Sequence, residues 1–235
     1  MQAVILAGGL GTRLRELYPD RPKALVPVNG RPFLAWQAEW LAAGGITDIH
    51  LATGHMSGAI VTWAGQNLPG TIRFTASEEP EPLGTGGGLK FVEEHIQSDP
   101  FYVLNGDSLL PNADFQSLEN DFRESSNAWI SIAVARIEEA GRYGTVEFDD
   151  NARLTAFREK ASRSEGWINA GIYLMSKKTL GEIEPGRNLS METDIFPALA
   201  EKGLIRAFKS EGPLLDMGTP DGLRAMEAHL LTRGA

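Results

Sequence analysis

The sequence predicts an α/β fold: a doubly wound, mostly parallel sheet with helices on both faces and extra antiparallel strands in its second half. Three observations carry this. Residues Ala3 to Ala7 form an unbroken apolar run that stops at Gly8-Gly9, as in a strand buried on both faces. Up to Asp107 such runs alternate with stretches of helical spacing, the order that a parallel sheet with crossover helices requires. In the second half the runs become strands with short, turn-rich connections.

Each element has its own signal. After the first strand and a basic loop, PFLAWQAEWLAAGG reads as a helix: Phe33, Leu34, Trp36, Trp40 and Leu41 recur at helical spacing, and Gly44-Gly45 supplies the stop. DIHLAT is the next strand, a helix is expected around Ser57 to Trp63, and TIRFT is a strand. Past a second glycine cluster, Leu89 to Ile96 is expected to be helical, followed by a buried strand at FYVLNGD. ISIAVAR, GTVEFDD, LTAFREK, INAGIYLM and IRAFKS read as the later strands, with a hairpin turn at Asp150-Asn151. Helices are expected from about Thr193 to Leu199 and from Pro220 to Leu231. With no repeat, linker or low-complexity segment, the chain is expected to form one domain over residues 1–235, in two halves that meet near residue 125.

Composition narrows the function classes. Hydrophobic residues are 42% and charged residues 23% of 235, ordinary for a globular protein. A net charge of −9 argues against a general electrostatic grip on nucleic acid or an anionic membrane. The absence of cysteine excludes disulfides, thiolate metal sites and a cysteine nucleophile. No signal-peptide pattern opens the chain, and no apolar stretch approaches the ~20 residues that span a bilayer. The expectation is a cytoplasmic protein without nucleic-acid or membrane partners; a homo-oligomer is left open. His50, His55, His95 and His229 lack metal-ligand spacing, and Trp36, Trp40 and Trp63 read as helix packing.

Against this acidic background, residues 11–31 hold Arg13, Arg15, Arg21, Lys23 and Arg31 beside only Glu16 and Asp20. They follow Gly8-Gly9-Leu10-Gly11-Thr12, a loop with little side-chain bulk that can turn backbone N–H groups towards phosphates. Arg13 can grip a phosphate bidentately and Lys23 offers a point charge; a tight turn with a solvated basic face is the plainer alternative. The dinucleotide fingerprint fails at Leu14, where a third glycine is needed, and no Gly-Lys-Ser/Thr follows for a Walker loop. The second loop, Glu78 to Gly88, mixes acids with glycines and suits a base or sugar better than a phosphate. There a glutamate can accept from guanine N1–H and its N2 amino group, and glycines can let backbone lie flat on a purine; a mobile turn with solvated glutamates is the other reading. Asp107, after Asn105-Gly106, is either a metal ligand or a turn residue.

These residues resemble the sugar-1-phosphate nucleotidyltransferases, whose signature is matched by Gly8-Gly9-Leu10-Gly11-Thr12-Arg13 followed by Pro22-Lys23-Ala24-Leu25-Val26-Pro27-Val28. The likeness continues at Asn105-Gly106-Asp107, Glu159-Lys160, Asn169-Ala170-Gly171-Ile172-Tyr173 and Leu215-Asp216-Met217-Gly218-Thr219-Pro220. It implies a Rossmann-like sheet and the union of a sugar 1-phosphate with a nucleoside triphosphate, releasing pyrophosphate. It further implies that Ala7, Gly8, Gly9, Gly11, Thr12, Arg13, Glu79, Gly84, Thr85 and Asp107 bind the nucleotide in the first half. Gly144, Glu159, Lys160 and Asn169 then bind the sugar phosphate in the second half, and Asp107 and Asp216 hold Mg²⁺. Arg13, Lys23, Asp107 and Asp216 are the implied catalytic set. A phosphate monoester loses its second proton near pH 6, so its oxygen needs no general base. Glu81 to Gly87 resembles the base loop of guanylyltransferases acting on mannose or heptose 1-phosphates, and Ser190 to Phe196 resembles the D-glycero-D-manno-heptose 1-phosphate type. That favours GTP. A uridylyltransferase for N-acetylmuramic acid 1-phosphate or another hexose 1-phosphate is the nearest rival, and a non-catalytic nucleotide-sugar-binding protein a further one.

Overall fold

The computed structural model describes residues 1–9, 11–125, 127–137, 145–158 and 165–233. Strand β1 (Gln2–Ala7) runs into the glycine loop; a 3-10 turn at Lys23–Leu25 and a small hairpin, β2 (Pro27–Val28) and β3 (Arg31–Pro32), lead to helix α1 (Phe33–Ala43). There follow β4 (Asp48–Thr53), α2 (Ser57–Asn67), β5 (Arg73–Glu78), α3 (Gly84–Phe91), β6 (Phe101–Asn105), the two-residue β7 (Ser108–Leu109) and α4 (Phe115–Glu124). The second half holds β8 (Ile130–Ile137), β9 (Thr145–Phe148), β10 (Leu154–Arg158) and β11 (Gly166–Met175). A π-helical turn at Met191–Ile195 then opens α5 (Phe196–Glu201), ahead of β12 (Ile205–Ser210), β13 (Leu215–Asp216) and α6 (Pro220–Arg233).

Strands of both halves share one nine-stranded sheet, ordered β10-β9-β11-β6-β1-β4-β5, with β8 also pairing β11 and β12. β6, β1, β4 and β5 are mutually parallel, while β11 is antiparallel to β6 and to β8. The predicted doubly wound sheet with antiparallel additions is therefore what forms. The order reverses at β1: the chain adds β4 and β5 on one side, then crosses back to lay β6 on the other. Such a switch point leaves a crevice at the carboxyl ends of the two central strands. Register keeps those ends level, with Leu6 opposite Asn105, Ala7 opposite Thr53, and Thr53 opposite Glu78.

Alternation along β1 assigns its side chains to opposite faces. Ala3 and Ile5 pack with Leu34 and Leu41 of α1, Ile60 of α2 and Leu118 of α4; Val4 packs with Leu89 of α3 and Phe196 and Leu199 of α5. A third apolar cluster joins Leu14 of the basic loop to Met217, Leu223 and Met226, seating α6 beside the crevice.

Several boundaries differ from the sequence reading. α3 begins at Gly84, within the glycine cluster, rather than at Leu89. β5 starts at Arg73 because the Ile72 N–H is spent closing a turn onto Pro69 O. The expected Thr193 helix is divided into the π turn and α5, with a proline in the first turn of α5. α4 was not foreseen; Asp114 caps it by accepting from Ser117 N at 2.9 Å.

Away from the crevice, the His50 ring is wholly buried in β4, hydrogen-bonded to Thr75 Oγ1 at 2.8 Å and stacked on His95 with centroids 4.7 Å apart. Burial, then the neighbouring His95, lowers its pKa to about 4, against a smaller opposing pull from Asp48. Because the unfolded chain binds this proton more readily, stability is complete above about pH 6.5 and falls as pH drops towards 4. The contribution is at most on the order of 3 kcal/mol. Urea titrations between pH 7 and 4.5 should show this loss, and His50→Leu should flatten it; an unchanged slope in the variant would assign acid sensitivity elsewhere.

Candidate functional site

The crevice is a cleft of about 360 Å³. One wall is the end of β1 and its loop, Ala7, Gly8, Gly9 and Gly11; the floor carries Lys23 and Asp107; the far wall is Glu79, Gly84 and Thr85. Nine of the predicted residues thus meet in one place. Thr12 and Arg13 are exposed and stand outside the cleft lining, although Arg13 is close enough to draw down the Asp216 carboxyl. Gly144, Glu159 and Lys160 lie outside the described residues.

Asp107 and Asp216, far apart in the chain, are brought together by a two-stranded ladder. β7 and β13 pair antiparallel with Asp216 opposite Ser108, and Met217 N–H donates to Asp107 O at 3.0 Å. Lys23 forms an ion pair with Asp107, Ser108 Oγ donates to Asp107 Oδ1 at 3.1 Å, and Gly218 N–H donates to Asp216 Oδ1 at 2.6 Å. Burial, and then the charge of Asp107, raise the Asp216 pKa; the Gly218 N–H, Lys23 and Arg13 pull it back. The turn carrying Asp107 is fixed from below by Gln37, a fully buried residue of α1 whose Nε2 donates to Asn105 O at 2.9 Å and Ser108 O at 3.3 Å.

Among the described residues no three carboxylate or histidine side chains converge on one point. Two carboxylates close enough for Asp107 to raise the cost of charge on Asp216 nevertheless fit Mg²⁺, which accepts oxygen ligands and keeps its remaining positions for water and substrate phosphates.

The far wall explains its glycines differently from the sequence reading. A side chain at Gly87 would overlap Arg187 O, and one at Gly84 would lie 2.5 Å from Leu189 O, so α3 packs directly on the Arg187–Leu189 backbone. Gly86 N–H donates to Leu189 O at 2.7 Å and Leu189 N–H to Leu83 O at 2.9 Å, completing that seam. Room at these positions is taken by the chain itself, not by a purine. Gly8 and Gly88 instead leave space for the Glu79 carboxylate, which accepts from Leu83 N–H at 3.2 Å. Burial lifts the Glu79 pKa above its ordinary value, partly offset by that N–H.

The sugar-side strand bulges between Asn169 and Tyr173 in its pairing with β8, with Gly171 at φ 70°. Asn169 uses both ends of its amide within the protein: Oδ1 accepts from Gly171 N–H at 2.9 Å and Nδ2 donates to Tyr173 Oη at 2.8 Å. Burial keeps the Tyr173 phenol protonated. Thr85 is likewise engaged, accepting from Met191 N–H at 2.8 Å and donating to Glu192 Oε2 at 3.1 Å. Sequence reasoning gave no role to Gln37, Asn105, Asn188 or Glu192, although Asn105 and Glu192 stand in stretches that carry the family likeness; a lone glutamine among the apolar residues of FLAWQAEWL was a usable signal for the first.

The profile of the nucleotidyl transferase family matches residues 2–233. A mannose-1-phosphate guanyltransferase of Aspergillus oryzae is 38% identical over 94% of this chain, but the chain spans only 61% of that relative's length. D-glycero-alpha-D-manno-heptose 1-phosphate guanylyltransferases of Campylobacter jejuni and Aneurinibacillus thermoaerophilus are each 34% identical, covering 94% and 98% of this chain and 96% and 98% of their own. The crystal structure of HddC from Yersinia pseudotuberculosis complexed with GMP-PN superimposes with a TM-score of 0.86 at 30% identity, covering 97% of this chain and 99% of that one. Among the described residues no helix is long and apolar enough to cross a membrane. Since the profile runs from residue 2 to residue 233 and the heptose-enzyme relatives cover 94% and 98% of the sequence, the chain belongs to the nucleotidyl transferase family.

Proposed function

We propose that this cleft joins a sugar 1-phosphate to GTP, giving a GDP-sugar and pyrophosphate, and that the sugar is D-glycero-D-manno-heptose. The observation that carries the reading is the meeting of Asp107, Asp216 and Lys23 at the switch point, directly beside the glycine loop. Residues 1–125 serve the nucleotide and residues 126–235 the sugar phosphate.

An oxygen of the sugar phosphate, ionised at neutral pH, attacks the α-phosphorus as the bond to the pyrophosphate oxygen breaks. The protein's task is alignment and charge neutralisation. Glycine-loop N–H groups and Arg13 take the β- and γ-phosphates, and Lys23 leaves Asp107 for the reacting phosphate. Asp107 and Asp216 would hold Mg²⁺, which when bound would supply positive charge for the reacting phosphates. By likeness to the family's Glu-Lys pair, Lys160 is assigned to the phosphate of the sugar phosphate, with Glu159, Asn169 and the Gly144 backbone at the sugar hydroxyls.

Glu79 supports guanine. Its two oxygens match the adjacent N1–H and N2–H donors of that base, whereas uracil offers one N–H between two carbonyls that a carboxylate repels. The heptose choice is supported by the likeness of Ser190 to Phe196 to the heptose type and by the 34% identity to two heptose 1-phosphate guanylyltransferases. Pyrophosphate release measured with each nucleoside triphosphate against a panel of sugar 1-phosphates tests the reading. GTP with a manno-heptose 1-phosphate should be fastest by at least about tenfold, the scale on which such pockets discriminate. Preference for UTP with an N-acetylated sugar refutes the guanylyl assignment, and release that ignores the sugar phosphate refutes transfer altogether.

A further inference from the structure

One carboxylate joins the Thr85 wall of this cleft to the strand that carries Asn169. Glu192 sits in the π-helical turn Met191–Ile195, a geometry that is rare and frequent at functional sites. Its Oε2 accepts from Thr85 Oγ1 at 3.1 Å and from Ser190 Oγ at 2.9 Å; its Oε1 accepts from Tyr173 Oη at 3.1 Å. Thr85 belongs to the first turn of α3, whose amino end faces the nucleotide wall. Tyr173 belongs to the bulged stretch of β11 and holds Asn169 through a 2.8 Å hydrogen bond. The chain thus runs from Thr85 through Glu192 and Tyr173 to Asn169 in three hydrogen bonds, two of them to a carboxylate. Charge-assisted bonds of this kind are the stronger ones, and networks at low dielectric hold a single arrangement.

We propose that Glu192 is a positioning residue that couples the two substrate sites: closure of α3 on the nucleotide is transmitted through its carboxylate to the sugar strand, and the reverse. This rests on the two-substrate reading of the cleft. By linkage, each ligand should tighten the other by the same factor. Among the described residues no other side-chain hydrogen bonds run from α3 to β11; the seam of Gly86 and Leu83 with Leu189 joins α3 to the Arg187–Leu189 segment.

The test measures the affinity of mannose 1-phosphate and of a manno-heptose 1-phosphate by calorimetry, with and without an α,β-methylene GTP analogue, in the presence of Mg²⁺. In the wild type the analogue should tighten sugar-phosphate binding by about fivefold or more, the lower range of ordinary coupling. In Glu192→Gln, which keeps the shape but loses the charge and one acceptor, the factor should fall to within about twofold of one. Each ligand measured alone should change less than that, and Tm should stay near the wild-type value. Thr85→Val should repeat the loss and Thr85→Ser, which restores the hydroxyl, should recover the coupling. This pair decides the matter if Glu192→Gln does not fold. Failure of the wild type to bind either ligand overturns the two-substrate reading and this inference with it. Binding of both without mutual tightening, or tightening undiminished in Glu192→Gln and Thr85→Val, overturns the role of Glu192 alone.

Discussion

Asp107→Asn should lower kcat by about three orders of magnitude, the loss seen when one essential charge-stabilising group is removed from an active site. The fold should hardly notice. Asn preserves the shape, Ser108 Oγ can still donate to its carbonyl oxygen, and the Met217 N–H bond is to the main chain. The broken ion pair with Lys23 is partly exposed, 28% on the Asp107 side, and such pairs contribute about 0–1 kcal/mol. In a chain of this size that is a Tm change of at most about 4 °C. Asp216→Asn makes the complementary case. Its carboxyl is already disfavoured as an anion by burial and by Asp107, so an amide there should not destabilise the protein, yet turnover should fall in the same way. Turnover and thermal melts measured on both variants separate the roles. Near-normal kcat in Asp107→Asn with a normal melt would rule out its charge as part of the reaction.

The parts of this site that could be read from the sequence were those written in local pattern. β1, β4 and β6 are near-continuous apolar runs because both sheet faces are covered, and glycines mark their carboxyl ends. Ligands of parallel sheets bind beyond those carboxyl ends, so the glycines also mark the cleft's edge, whereas the switch point itself depends on the strand order. α4 carried a local signal too, an aspartate cap followed by Phe115, Leu118 and Phe122 at helical spacing, and its omission was a failure of reading. Other features have no local pattern to read. β7 and β13 are two residues long, too short for any periodicity, and their pairing depends on the third apolar cluster around α6. The convergence of Asp107 with Asp216 was therefore available only through family likeness. Glu192 lies in a polar triplet that looks like solvated helix surface, and its bonds to Thr85 and Tyr173 are made by residues far away in the chain. Glycines of α3 were visible, but whether a ligand or the chain fills the space beside them is a tertiary fact.

Gly222→Ala tests the same convergence from outside the reacting atoms. The residue stands in the first turn of α6, where its N–H donates to Thr219 Oγ1 at 3.1 Å. A Cβ there would overlap the carbonyl oxygen of Asp216 and lie 3.1 Å from its carbonyl carbon. Helix propensity alone favours alanine by about 1 kcal/mol, so relief of this overlap decides the sign. Both partners are backbone and no side chain can swing aside; either α6 lifts from β13 or β13 shifts towards β7. Overpacking of this kind costs about 1–3 kcal/mol, a fall in Tm of roughly 2–12 °C for a chain of this length. Either movement displaces Asp216 relative to Asp107, and an ångström of misplacement in such a site is worth about a hundredfold in rate. The expected result is thus a moderately less stable protein with kcat down by about two orders of magnitude. Gly58→Ala is the control: it lies in α2 with nothing within 4 Å of the added methyl, and should raise stability by about 0.5–1 kcal/mol with turnover unchanged. Were Gly222→Ala to melt and turn over like the wild type, α6 would not press on the Asp216 carbonyl. Packing of that helix would then have no part in holding the two aspartates together, leaving the β7–β13 ladder to do so alone.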